Sequence, residues 1–161
     1  MTYLLLLGGN LGNVAQTFGK AIELLKELGT IKQKSSLYTS KAWGFEANEM
    51  FLNQVVEIDS TLEPHTMLST TQNMEQQLGR KSKSTCGEYQ SRIIDIDILF
   101  CDNLIIKTPT LTIPHPLLHK RMFTLAPLTE HWSNYMHPIL QKTIEQITNE
   151  CTDKSIVNRL D

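Results

Sequence analysis

The spacing of hydrophobic and polar residues changes along the chain, and each spacing predicts a different element. Short apolar runs or strict alternation predict strands at residues 2–7, 31–39, 51–60 and 92–100. Apolar residues at helical spacing predict helices at residues 14–28 and 64–78, and a third that includes Ile139, Leu140, Thr143, Ile144 and Ile147. A short edge strand is expected at 155–160, and Leu104–Lys107 is predicted to follow a hairpin turn. We find no internal repeat and no linker, so residues 1–161 are predicted to form a single domain.

The segment Arg92–Phe100 predicts a central strand, because it is rich in β-branched residues and contains neither Gly nor Pro. Alternation places Ile94, Ile96, Ile98 and Phe100 on one face, and Asp95, Asp97 and Leu99 on the other. Two rises along a strand separate the two Asp Cα atoms by roughly 6.6 Å. Because buried carboxylates need a compensating cation, the pair is a candidate Mg²⁺ site. A solvated sheet face without function is the alternative.

Two segments suggest a wall for a flat ligand. Trp43-Gly44-Phe45 lies in an aperiodic stretch, so it is either a loop with exposed aromatic rings or a loop packed on the core. Asn53 is a polar residue on an otherwise apolar face of the predicted strand 51–60. Its amide either bonds to the local backbone or recognises a ligand with donors and acceptors.

Basic and glycine-rich segments suggest contacts with phosphate. Residues 81–91 form a polar loop flanked by Arg80 and Arg92, with Lys81 and Lys83 inside it; it suits a polyphosphate or is simply solvated. Prolines on both sides of His115 restrict its backbone, and Arg121 follows. The turn Gly8–Gly12 lacks the Gly-Lys-Ser/Thr of a Walker loop, so on its own it is interpreted as structural.

Composition and charge exclude several classes of protein. The net charge of −2 argues against a dedicated nucleic-acid binder, and no apolar run approaches the roughly 20 residues of a membrane span. No basic segment precedes the apolar run Leu4–Leu7, so no signal peptide is predicted. The cysteines, Cys86, Cys101 and Cys151, are odd in number and widely spaced, which favours reduced thiols in the cytoplasm over a zinc site. Without an apolar stripe left over, we expect a monomer.

Taken together, the motifs resemble 6-hydroxymethyl-7,8-dihydropterin pyrophosphokinases, a family of the folate pathway. The resemblance runs from about Tyr3 to about Leu128. It is carried by Gly8-Gly9-Asn10-Leu11-Gly12, Phe51-Leu52-Asn53, Glu75 before Gly79-Arg80, Arg92-x-x-Asp95-x-Asp97-x-Leu99, Ile113-Pro114-His115-Pro116, Arg121-x-Phe123 and Pro127-Leu128.

The resemblance implies a ferredoxin-like α+β sandwich, with a mostly antiparallel sheet covered by helices on one face. It implies transfer of pyrophosphate from ATP to the pterin hydroxymethyl group, with release of AMP. Asp95 and Asp97 would hold two Mg²⁺ ions and, with Arg92, form the catalytic set. The expected ATP contacts are Gln72, Glu75, Lys83, Tyr89, Arg92, Ile98, His115 and Arg121. The expected pterin contacts are Ser40, Ala42, Trp43, Phe51, Asn53, Tyr89 and Phe123.

Two other functions are compatible with parts of the pattern. A binding or regulatory module with this fold would not need Asp95, Asp97, Arg92 and His115 together. A different Mg²⁺-dependent nucleotide enzyme would leave Asn53 and the aromatic loop unexplained. The leading hypothesis is therefore the pyrophosphokinase.

Overall fold

The computed structural model describes residues 1–41, 50–79 and 93–160. Its strands are β1 Thr2–Gly9, β2 Gly29–Lys34, β3 Tyr38–Ser40, β4 Phe51–Ser60, β5 Asp95–Cys101, β6 Ile106–Lys107, β7 Thr112–Ile113 and β8 Val157–Arg159. Its α-helices are α1 Val14–Leu25, α2 Pro64–Gln77, α3 Met122–His131 and α4 Ile144–Glu150, and Leu118–Lys120 form a 3₁₀ turn. None of these helices has the length and apolar character of a membrane span.

The strands form a main antiparallel sheet in the order β5-β1-β4-β3-β8, with β2 also paired to β4. This arrangement, with helices between the strands, confirms the predicted α+β fold. The predicted edge strand near the C-terminus is confirmed as β8, which pairs with β3. The segment after the turn at Asp102 does not pair with β5 as a hairpin; β6 pairs with β7 instead.

Strand β5 is an edge strand of this sheet, so its prediction as a central strand was wrong. Its outer edge is covered by groups from elsewhere in the chain. The backbone N–H of Ile96 donates to Oε2 of Glu75 at 3.0 Å, and the N–H of His115 donates to the carbonyl of Leu99 at 3.0 Å. These contacts pair backbone groups that would otherwise be left open at a sheet edge.

Both faces of the sheet are covered by hydrophobic clusters. On one face Tyr3, Leu5 and Leu7 pack with residues of α1 and α2. On the opposite face Leu4 and Leu6 pack with residues of α3 and α4, including Leu125, Leu128, Ile144 and Ile147. The resemblance implied helices on one face, and the two C-terminal helices add a layer on the other.

A β-bulge changes the predicted faces of β5 near its end. The register with β1 shifts between Leu4 and Leu5, where Leu99 is the additional residue. Phe100 consequently packs in the same cluster as Leu99, on the α3 and α4 face. Its assignment to the face of Ile94, Ile96 and Ile98 was wrong, because strict alternation does not survive a bulge.

The C-terminal helix begins later than its apolar pattern predicted. Ile139 and Leu140 precede it and are exposed, so their placement in the helix was wrong. Thr143 sets the start, because its hydroxyl accepts from the Gln146 N–H and the Gln146 side chain accepts from the Thr143 N–H. Such a capping box fixes a helix start more strongly than apolar spacing does.

Helix α3 is joined to β3 through one carboxylate. Glu130 accepts hydrogen bonds from the Tyr38 hydroxyl at 2.8 Å and from the Ser36 N–H at 3.0 Å. Burial alone would raise the pKa of Glu130, but the bonds from Ser36 and Tyr38 and the charge of Arg159 hold it below its usual value. The carboxylate is therefore charged at neutral pH and ties the helix to the sheet.

Replacing Glu130 by alanine is expected to lower the free energy of unfolding by about 2–4 kcal/mol, because buried donors lose their acceptor. Since the folded-state pKa is depressed, this stabilisation is present above the unfolded carboxyl value and is lost as pH falls through the folded value. Urea unfolding at pH 7 and at pH 3 measures both effects. The exposed Glu27→Ala is the control; equal losses in the two variants would contradict the assignment.

Candidate active site

One row of residues crosses the sheet on the face covered by α3 and α4. Asp95 of β5 is opposite Gly8 of β1, Gly8 is opposite Asn53 of β4, and Asn53 is opposite Tyr38 of β3. Directly opposed residues of antiparallel strands point to the same face. A carboxylate and an amide therefore lie on one surface with a glycine between them, two strand spacings or roughly 9.5 Å apart.

Asp97 lies two residues along β5 from Asp95 and is opposite Leu6. Both carboxylates are half-buried, at the border of a core that includes Leu6 and Val55. The predicted shared face of the two Asp residues is thus confirmed. In the part of the chain that the structure describes, no third acidic, His or Cys residue joins them in a metal-ligand cluster. Two carboxylates at the border of a core are the donor set that Mg²⁺ accepts, with water and substrate oxygens completing its shell.

Helix α2 supports the Asp strand from its outer side. Glu75 is 1% exposed, and its Oε2 accepts from the N–H of Ile96, the residue between the two Asp residues. Gln72, one turn earlier, is half-buried. Glu75 therefore fixes the backbone that presents the Asp pair.

A pocket of about 220 Å³ lies at the covered edge of β5. Its apolar wall includes Leu68, Ile98 and Leu111, and Asp97 and His115 line it too. Sequence reasoning selected Ile98, Asp97 and His115 but missed Leu68, Leu111 and Thr112. No local sequence pattern marks Leu111 and Thr112, because their approach to the edge of β5 depends on tertiary packing.

His115 presents a defined hydrogen-bonding face. Its Nδ1 accepts from the Leu117 N–H at 3.1 Å, and the ring is half-buried. A neutral imidazole that accepts through Nδ1 carries its proton on Nε2. The opposite ring nitrogen is therefore a donor, as a contact with an anion requires.

Arg121 and Phe123 lie together at the start of α3. Arg121 is 5% exposed, and its guanidinium carbon lies 5.5 Å from the centroid of the Phe123 ring. Burial lowers the pKa of Arg121 to about 10, so the side chain remains a cation at neutral pH. A buried cation stacked on an aromatic ring is a strong binding element for an anion.

Asn53 lies on β4, opposite Gly8 of β1 on one side and Tyr38 of β3 on the other. It is 3% exposed, and its Nδ2 donates to the Ser40 hydroxyl over 3.4 Å. A Cβ on Gly8 would lie 3.0 Å from Oδ1 of Asn53, which is tighter than ordinary contact. Sequence reasoning placed Gly8 in a structural turn; a glycine inside a strand was the signal that a group approaches the backbone closely. Phe51, opposite Ser40, is half-buried beside them.

The remaining predicted site residues lie outside the described ranges. They are Ala42, Trp43, Lys83, Tyr89 and Arg92.

Comparison with known proteins identifies relatives along nearly the whole chain. The family model described as 7,8-dihydro-6-hydroxymethylpterin-pyrophosphokinase matches residues 4–133. A protein of Aquifex aeolicus named 2-amino-4-hydroxy-6-hydroxymethyldihydropteridine pyrophosphokinase is 40% identical over 148 residues, which cover 92% of this chain and 91% of that protein. A Bacillus subtilis protein of the same name is 35% identical over 150 residues, 92% of this chain and 83% of that protein.

Solved structures give the same fold. The HPPK-DHPS A437G protein of Plasmodium falciparum has a TM-score of 0.76 at 18% identity, over 92% of this chain and 45% of that one. The chain thus spans less than half the length of that solved chain.

Proposed function

Because the chain belongs to the 7,8-dihydro-6-hydroxymethylpterin-pyrophosphokinase family, we propose that it transfers pyrophosphate from ATP to the hydroxymethyl oxygen of 6-hydroxymethyl-7,8-dihydropterin and releases AMP. It is a pyrophosphokinase of folate biosynthesis, and ATP is its co-substrate. The row Asp95–Gly8–Asn53 is the observation that carries the proposal for this chain. It places an anionic group and an amide on one surface, at a separation comparable with the long dimension of a bicyclic pterin.

Asp95 and Asp97 are proposed to hold two Mg²⁺ ions. Their carboxylate oxygens are hard donors at the border of a core, which fits this ion. When bound, the ions would supply charge neutralisation to the polyphosphate and the attacking oxygen. The protein holds the two carboxylates side by side. The hydrogen bond from the Ile96 backbone N–H to the Glu75 carboxylate stiffens the strand that carries them.

The nucleotide is proposed to occupy the pocket at the edge of β5. Leu68, Ile98 and Leu111 offer apolar surface to a base, and Asp97, a member of the Asp pair, lines the same pocket. His115 donates through Nε2, and Arg121 offers a buried cation to the phosphates. Because phosphoryl transfer depends mostly on alignment and charge neutralisation, donors held in place contribute most of the catalysis.

The pterin is proposed to lie over Gly8, with its amide-like edge at Asn53 and its hydroxymethyl group toward Asp95. Among the described residues, Phe51 and Phe123 are proposed to stack on the pterin ring. The Ser40 hydroxyl accepts a hydrogen bond from the Asn53 amide and so fixes its orientation. Gly8 leaves the surface between the Asn53 amide and the Asp95 carboxylate flat. A side chain at this position would come too close to Asn53. This gives a reason for a glycine inside β1.

The other predicted contacts stay proposals. Gln72 and Glu75 with ATP, and the residues outside the described ranges, namely Ala42, Trp43, Lys83, Tyr89 and Arg92, are assigned by motif. A single domain over residues 1–161 is supported by two clusters that share one sheet. A monomeric state and a cytoplasmic location remain predictions, which size-exclusion chromatography and cell fractionation would test.

The purified chain with ATP and Mg²⁺ is expected to form AMP only when the hydroxymethyl-dihydropterin is added. Chromatography of the nucleotides measures this, and removal of Mg²⁺ with a chelator should stop the reaction. ADP as the product would indicate a different nucleotide enzyme, and AMP without pterin would indicate a hydrolase. The absence of any nucleotide product, with ligand still bound, would indicate a binding module.

A further inference from the structure

The start of α3 carries two residues of the proposed site, Arg121 and Phe123, on either side of Met122. Arg121 occupies the N-cap position, but its side chain makes no capping bond. The first turn of a helix leaves N–H groups that need an acceptor. For α3 that acceptor comes from a distant part of the chain: Oδ2 of Asp153 accepts from the Met122 N–H at 2.9 Å.

Asp153 is itself held in position. Its Oδ1 accepts from the backbone N–H of Ser155 at 2.9 Å and from the Ser155 hydroxyl. Burial would raise the pKa of Asp153, but the bonds from the Ser155 side chain, the Met122 N–H and the Ser155 N–H lower it. A negative charge that is fixed at a helix N-terminus also interacts favourably with the helix dipole.

The bond from Asp153 acts at the point where the backbone changes conformation. Arg121 is extended, with φ −124° and ψ 111°, and the helix begins at the next residue. The peptide that joins Arg121 to Met122 therefore sets the direction in which both the guanidinium and the Phe123 ring leave the helix. Further along, α3 is already fixed by buried Leu125 and Leu128 and by Glu130, so its first turn is where one bond changes the orientation of the two side chains.

We propose that Asp153 is a positioning residue for the pyrophosphoryl transfer: by holding the Met122 N–H it keeps Arg121 directed at the triphosphate and Phe123 at the pterin. This inference rests on the proposed function. Asp153 touches neither substrate in this scheme and acts through the backbone of α3. The segment between α4 and β8, outside the matched family region that ends at residue 133, thereby takes part in the site.

The chain contains a matched control for this proposal. Thr143 is the N-cap residue of α4, and its hydroxyl accepts from the Gln146 N–H at 3.2 Å, so it too satisfies a first-turn N–H of a helix. Helix α4 carries none of the proposed site residues. Asp153→Ala and Thr143→Ala each remove a side-chain acceptor from the first turn of a helix, and both are expected to shift the urea midpoint downward. The shift is expected to be larger for Asp153→Ala, which also loses the bonds from Ser155.

Kinetics separate positioning from stability. Asp153→Ala is expected to reduce kcat/KM for both substrates by about ten- to a hundredfold, the range that small misplacement of binding groups produces. Thr143→Ala should leave both values within about twofold, since it disturbs no proposed binding group. Asp153→Asn, whose amide oxygen can still accept from Met122, should recover much of the loss. Asp153→Ser, whose shorter side chain does not reach the Met122 N–H, replaces the Ala variant if that variant does not fold.

Each outcome bears on one hypothesis. Wild-type protein that forms no AMP with pterin overturns the proposed function. Active wild-type protein, with Asp153→Ala, or Asp153→Ser in its place, as little impaired in kcat/KM as Thr143→Ala, overturns the positioning role. A kinetic loss confined to Asp153→Ala, with recovery in Asp153→Asn, supports it.

Discussion

Replacing Asp97 by asparagine is expected to reduce turnover about a thousandfold, the scale of a charge that stabilises a transition state. The substitution keeps size and polarity but removes one of two anionic donors from a shared face. The fold should persist, because the side chain is half-buried and loss of one negative charge relieves repulsion with Asp95. Steady-state AMP formation and thermal unfolding of the same preparation measure the two effects.

The control for this prediction is Asp102→Asn, just beyond the opposite end of β5. Its Oδ1 accepts from the Thr2 N–H at 2.9 Å, so it removes a carboxylate charge from the same part of the chain without touching the proposed site. Activity of Asp102→Asn should be near that of the wild type. Near-native turnover of Asp97→Asn at saturating Mg²⁺ would show that the carboxylate binds no catalytic ion.

Replacing Asn53 by leucine is expected to reduce kcat/KM for the pterin by about a hundredfold or more, while KM for ATP stays unchanged. A buried amide that pairs with donors and acceptors of a ligand discriminates strongly, because its loss leaves the ligand groups without partners. Leucine has a similar volume and packs beside Val55, so the loss belongs to recognition rather than folding. Calorimetric titration with the pterin alone would measure the same loss in affinity.

Gln54→Leu is the matched control for Asn53→Leu. Gln54 is the next residue of β4, so its side chain faces away from the row, and its amide donates to the carbonyl of Ser35 at 2.8 Å. It should lower stability without a selective change in pterin affinity. If both variants bound the pterin as tightly as the wild type does, Asn53 would not be the residue that recognises the pterin ring.

Most strands and their faces, up to the bulge in β5, could be predicted because they depend on local alternation. Asp95 and Asp97 share a face for the same reason that Leu5 and Leu7 do: successive residues of a strand point to opposite sides. Helix starts were predicted where a Pro or a capping residue marks them, as Pro64 does for α2. These signals lie within a few residues of the feature they predict.

Features that depend on distant contacts were not predictable in this way. Sequence marks β5 as buried, but only the structure reveals that Glu75 and His115 cover an edge. The bulge at Leu99 depends on how β1 and β5 align. The role of Gly8 requires knowledge that β4 brings Asn53 beside it, and Asp153 is 31 residues from the N–H it binds.

The covering of β5 has a consequence for the behaviour of the molecule in a crowded solution. An open strand is a template on which another chain can add, and a long apolar one invites fibril-like association. Here the Glu75 carboxylate and the His115 backbone occupy the positions that an incoming strand would use. Since the proposed nucleotide pocket lies at the same margin, the contacts that shape it also occupy backbone groups of β5 that an added strand would need.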